Sequence, residues 1–107
     1  MSTLAGLFAG IDWLELKKRD VWAKGLVIPG REHEAHIWRY DAFYSLIKYE
    51  DYGNRYSANG WEFDHNPIPK WMGGSDDISN LRPLHCRNNT ALGASSGLGA
   101  LFTKPGR

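Results

Sequence analysis

Cysteine is nearly absent: Cys86 stands alone among 107 residues, which excludes an internal disulfide and a four-thiolate zinc site. That usage fits a reducing compartment, so a cytoplasmic location is expected. An excess of charge is lacking too, with 13 basic and 12 acidic residues and a formal net charge of +1. Nucleic-acid binders usually show a clear basic patch, and this balance is weak for one. No apolar run approaches the length needed to span a membrane, so no membrane partner is expected. The opening LAGLFAGI is apolar and rich in small residues. It lacks the basic start of a secretory signal, because the first positive charge, Lys17, follows the apolar stretch. An amphipathic helix is the better reading. No internal repeat is present.

Hydrophobic content of 42%, aromatic content of 13% and five Trp mark a globular chain with an aromatic-rich core or a stacking surface. The length suits one domain with a modest core. Acidic residues stop at Asp77, whereas Arg82, Arg87, Lys104 and Arg107 follow it, which leans the C-terminal part towards phosphate contact.

Leu4, Leu7, Phe8, Ile11 and Leu14 fall at helical spacing, and the pattern predicts a helix from Ser2 or Thr3 to about Ala23, closed by Gly25 as C′ residue. Glu32 to Tyr40 reads as a short helix and Ala42 to Lys48 as a strand. Turns are expected at Tyr52-Gly53-Asn54 and Ala58-Asn59-Gly60. Trp61 to His65 alternates apolar with polar side chains, as a half-buried strand does, and Pro67 and Pro69 end it. Leu81 to Leu84 reads as a second short strand, at an edge because of Pro83. A helix is expected from Cys86 to Gly93. The Gly/Ser-rich tail should be loosely ordered, with Leu98, Leu101 and Phe102 docking on the body.

The chemistry concentrates in residues 60–89, GWEFDHNPIPKWMGGSDDISNLRPLHCRNN. Cleaving a phosphodiester requires a base for the attacking water and a cation for the phosphate and leaving oxygen. His65 has a suitable ordinary pKa for the base. Asp64 and Asn89 offer hard oxygens of the kind magnesium or manganese prefers. Adjacent residues on an ideal strand point to opposite faces, so Asp64 and His65 can share a reaction centre only where the strand twists or ends.

The stretches GWEFDH, GGSDDISNL and PLHCRNN, in that order and spacing, resemble the HNH endonucleases of the ββα-metal or His-Me finger superfamily. The likeness extends weakly upstream through WRYDAFYSLIKYEDYG, to small bacterial and phage-type members. The resemblance implies a ββα-metal core over 59–93 within an α+β fold, to which the residue pattern adds an N-terminal helix and supporting strand region over 1–58 and a flexible tail over 94–107. It implies His65 as general base, Asp64 and Asn89 as ligands of one magnesium or manganese ion, and Asn80 as the residue that pins the loop and orients His65. Glu62, His85 and Asn88 would be supporting, and Arg82 and Arg87 would contact DNA. Asn88 competes with Asn89 for the ligand role, because the helix phase is open by one residue.

The chain departs from the family pattern. The paired CxxC motifs of many members are missing, so no structural zinc is expected. Asn66 stands where Ile is usual. Gly93 stands where colicin-type nucleases place a further His, leaving water and phosphate to complete the metal shell. Asp76 and Asp77 read as a solvated loop, and Cys86 as a packed thiol. The expected activity is divalent-metal-dependent hydrolysis of DNA. A homodimer would serve for double-strand breaks, and a phage, restriction or immunity protein is a candidate partner. The alternatives are a catalytically silent HNH-like module that binds nucleic acid or protein, and a small interaction domain in which the motif is coincidence.

Overall fold

In the computed structural model, which describes residues 10–94, Asp12 caps the first helix by accepting a hydrogen bond from the Glu15 N–H at 3.0 Å. This helix, α1 (Trp13–Trp22), therefore starts later than the sequence pattern suggests. Leu4, Leu7 and Phe8 lie outside the described residues. The expected buried stripe is also displaced: Val21 and Trp22 are buried, whereas Leu14 is half exposed. Ala23 is the C-cap, and Gly25 has no left-handed backbone role. Its glycine is set by close approach instead, since a Cβ there would lie 3.1 Å from Arg39 Cδ. Arg39 crosses that point and donates to the carbonyl oxygens of Ala35 (3.0 Å) and Gly25 (2.9 Å).

The segment expected as a helix over Glu32 to Tyr40 contains only a 3-10 turn, Glu32–Glu34, followed by strand β1 (Trp38–Tyr40). Tertiary pairing overrides local helix preference here. Tyr40 exchanges backbone hydrogen bonds with Leu26, at 2.8 and 2.9 Å. β1 also pairs antiparallel with β2 (Leu46–Lys48), which is shorter than the expected strand. Between them Asp41 is fully buried and accepts four hydrogen bonds. Oδ1 takes the N–H groups of Phe43 and Ser45, and Oδ2 takes His85 N–H and Asn88 Nδ2. One carboxylate thus ties the β1–β2 turn to the start of the last helix.

Strand β3 (Trp61–His65) pairs antiparallel with β4 (Leu81–His85), with Glu62 opposite Leu84, Asp64 opposite Arg82 and His65 opposite Leu81. The chain passes directly from β4 into α2 (Cys86–Ala94). Gly93 lies inside α2 and does not end it. The tail residues expected to dock, Leu98, Leu101 and Phe102, lie outside the described residues. The described residues thus form a small compact α+β arrangement of two helices and two two-stranded antiparallel sheets. None of their helices is long and apolar enough to cross a membrane.

Alternation along β3 separates core from site. Trp61 joins Val21, Trp22, Ile47 and Leu81 in the buried core, with Tyr49, Tyr52 and Phe63 packed against it. Trp22 and Trp61 lie 5.1 Å apart between ring centroids, and Tyr52 meets Trp61 edge-on at 5.0 Å. Each such ring pair adds about 0.5–1.5 kcal/mol beyond the apolar area it buries. The indole N–H groups are satisfied too, Trp22 by Ala35 O (2.8 Å) and Trp61 by Tyr49 O (3.0 Å). Glu62 and Asp64 point to the other face, where Asn89 of α2 reaches Glu62.

Candidate functional site

Asp64 and His65 meet at the end of β3. Their side chains leave on opposite sides of the strand, yet both line one cleft of about 580 Å³ together with Lys70, Trp71, Arg82 and Asn89. Convergence is achieved because His65 is the last residue of the strand and Pro67 follows two residues later.

The loop that closes this cleft is built around Asn80. Its amide oxygen accepts from Ile68 N–H at 2.9 Å, while its nitrogen donates to Ile68 O at 2.9 Å and to Ser75 O at 3.0 Å. Its backbone oxygen accepts from Asn66 N–H at 3.0 Å, directly beyond His65. Asn80 is therefore a buried clamp on the loop. Gly74 completes the clamp. A Cβ there would stand 1.9 Å from Ile68 O, so only glycine lets the two passes of the loop approach.

Asp76 is an exposed loop residue, as the sequence suggests, and its carboxylate is nonetheless paired. Its Oδ1 lies 2.6 Å from His65 Nε2, and Lys70 Nζ donates to the same carboxylate at 3.1 and 3.3 Å. The imidazole first, and then the lysine, hold the Asp76 carboxyl down at about 2. A carboxylate accepts only, so His65 donates through Nε2 and its neutral ring keeps Nδ1 as the proton acceptor.

Asp64 is buried and paired across the hairpin. Arg82 Nε donates to its Oδ2 at 2.7 Å, and the guanidinium also lies 5.4 Å from the Phe43 ring centroid. Arg82, read from the sequence as a DNA contact, is thus bound to the carboxylate beside it. Asn89 donates through Nδ2 to Glu62 Oε1 at 2.7 Å. Glu62 can only accept, so this bond fixes the amide and makes the Asn89 oxygen the atom that could reach a cation. Glu62 is itself held by Arg55, at 2.6 and 3.2 Å.

The helix phase is settled by contacts. Asn89 lines the cleft, whereas Asn88 donates to Asp41 and to Ser45 Oγ, both at 2.8 Å. His85 faces away too. Its Nε2 donates to Ala58 O at 2.7 Å and its Nδ1 accepts Arg87 N–H at 3.1 Å, so both ring nitrogens are occupied. Arg87 lies beside Arg55, Cys86 and Thr90 in a separate groove. Burial and the Glu62 carboxylate push the Cys86 thiol up to about 11, which leaves it a packed, unreactive group.

Asp64 and Asn89 supply two hard oxygens, and among the described residues no three His, Cys, Asp or Glu side chains cluster tightly enough to hold a metal by themselves. Two hard oxygens are the donor type that magnesium or manganese takes, with water filling the remaining positions. Two residues of the cleft wall, Lys70 and Trp71, and Asp76, which pairs with His65 beside it, carry no functional signal in the sequence. Their position inside the loop after His65 is the only hint, and nothing in the local pattern distinguishes Asp76 from Asp77. Comparison with known protein families, curated proteins and solved structures returns no match to this chain.

Proposed function

We propose that this chain is an HNH-type, divalent-metal-dependent endonuclease that hydrolyses DNA, with β3, β4 and α2 as a ββα-metal core. The observation that carries the reading is the delivery of Asp64, His65 and Asn89 to one cleft from a strand, its end and the following helix. In the mechanism, Nδ1 of His65 takes a proton from the attacking water while Asp76 holds Nε2. Asn80 fixes the loop so that this geometry persists. Asp64 and Asn89 would hold the metal, which when bound neutralises charge on the scissile phosphate and the leaving oxygen. One such centre cuts one strand, so a double-strand break requires two copies or two separate nicks.

A second reading, a silent nucleic-acid- or protein-binding module, is favoured by the Arg82 guanidinium standing on Asp64. Supercoiled plasmid with purified protein separates the two. The nuclease reading expects nicked circles with magnesium or manganese and none with EDTA. Absence of both nicking and metal binding by calorimetry supports the silent module.

A further inference from the structure

Two of the five tryptophans, Trp22 and Trp61, form the core, but Trp71 is 61% exposed on the wall of the cleft that holds His65. It is not displayed on a loose loop. Trp71 sits in a 3-10 turn, Lys70–Met72, whose ends are fixed by Met72 N–H to Pro69 O (3.0 Å) and Gly74 N–H to Pro69 O (2.9 Å). The Asn80 amide grips the preceding residue, Ile68, from both sides of its peptide groups. Holding a large ring in water forfeits the burial free energy that Trp22 and Trp61 gain. A rigid, exposed indole beside a lysine is the arrangement that stacks a nucleobase while the neighbouring cation meets its phosphate.

We infer that Trp71 is a stacking platform for an unpaired base of single-stranded DNA next to the scissile phosphate, with Lys70 beside the backbone. A base inside a duplex is already stacked and is not available to Trp71 without the cost of unstacking it. The site therefore favours single strands, frayed ends or distorted duplexes over intact B-form DNA. This inference rests on the nuclease reading for the position of the phosphate, and its test does not depend on cleavage.

The test is fluorescence anisotropy of a labelled oligothymidylate and of a duplex of equal length, in EDTA, with the wild-type chain, Trp71→Ala and Trp71→Phe. The expected result is a loss of single-strand affinity of roughly tenfold in Trp71→Ala, largely restored in Trp71→Phe, with duplex affinity nearly unchanged. Unchanged single-strand affinity in Trp71→Ala, or equal losses on both substrates, overturns the inference. If plasmid is nicked while Trp71→Ala binds oligothymidylate normally, the platform falls and the nuclease stands. If the Trp71 dependence appears but no nicking occurs, the platform stands and the nuclease falls. Thermal unfolding of the two variants, expected to match the wild type because the ring is exposed, removes misfolding as a cause.

Discussion

His65 Nε2 and Asp76 Oδ1 lie 2.6 Å apart, across a loop whose two ends are stapled together by Asn80. The pairing gives the imidazole one orientation and one tautomer. Lys70 in turn donates to the exposed Asp76 carboxylate at 3.1 and 3.3 Å. Three residues from one loop thus position a single nitrogen.

Asp76→Asn should lower the nicking rate by about 10- to 100-fold, the usual cost of losing a partner that orients a reacting group. It should leave the affinity for DNA nearly unchanged, whereas a merely structural role predicts parallel losses in both. The same variant reports on stability. The folded Asp76 carboxyl titrates at about 2, below its ordinary 3.8. Its stabilising effect is therefore present above the ordinary value and is lost as pH falls through the folded one. The wild-type minus Asp76→Asn difference in Tm should be small, constant near neutrality and vanishing towards pH 2. A difference that grows with acidity would contradict the pairing.

Asn80→Ala removes a buried amide with three partners and leaves Ile68 and Ser75 backbone groups to find water. The expected loss is about 2 kcal/mol in urea unfolding. Local loosening should extend to His65, so the imidazole resonances in NMR should broaden or shift. Unchanged His65 resonances would show that the loop does not position the ring.

Asp41 carries a structural load of comparable importance outside the cleft lining. Four donors converge on its buried carboxylate, and Asp41→Ala abandons all of them. A loss of about 3–5 kcal/mol is expected. Unfolding curves that shift by less than about 1 kcal/mol would mean that water replaces the carboxylate readily.

Arg82 and a cation compete for Asp64, because the guanidinium occupies Oδ2. Arg82→Ala should tighten manganese binding severalfold by calorimetry while weakening DNA binding, since the guanidinium is no longer there to meet phosphate. Weaker manganese binding in this variant would show that Arg82 organises the site instead of guarding it.

The fold was legible where a single period governs. Trp61 to His65 alternates cleanly because one face packs on Trp22 and Leu81 while the other meets α2, and the structure begins and ends the strand at those residues. The turn at Asn59-Gly60 and the start of α2 at Cys86 were equally readable. Residues 32–40 were not, because pairing with Leu26 and, across the turn at Asp41 to Ser45, with β2 decides their state, and that pairing is not written in their own local pattern. Within the site, Asp64, His65 and Asn89 could be read because each sits in a regular element. Asp76 and Trp71 lie in a loop whose path is set by Asn80, several residues further on, so their neighbours could not be inferred from spacing. Arg82 was placed correctly opposite Asp64 only once the register was known.

The most direct test of the central claim is plasmid nicking by His65→Ala beside the wild-type chain, in magnesium and in manganese. The account predicts metal-dependent nicked circles from the wild type and a fall of about 10²- to 10⁴-fold in His65→Ala, with folding intact by circular dichroism. Cleavage that persists undiminished in His65→Ala, or a wild-type chain that binds metal yet never nicks, would contradict it.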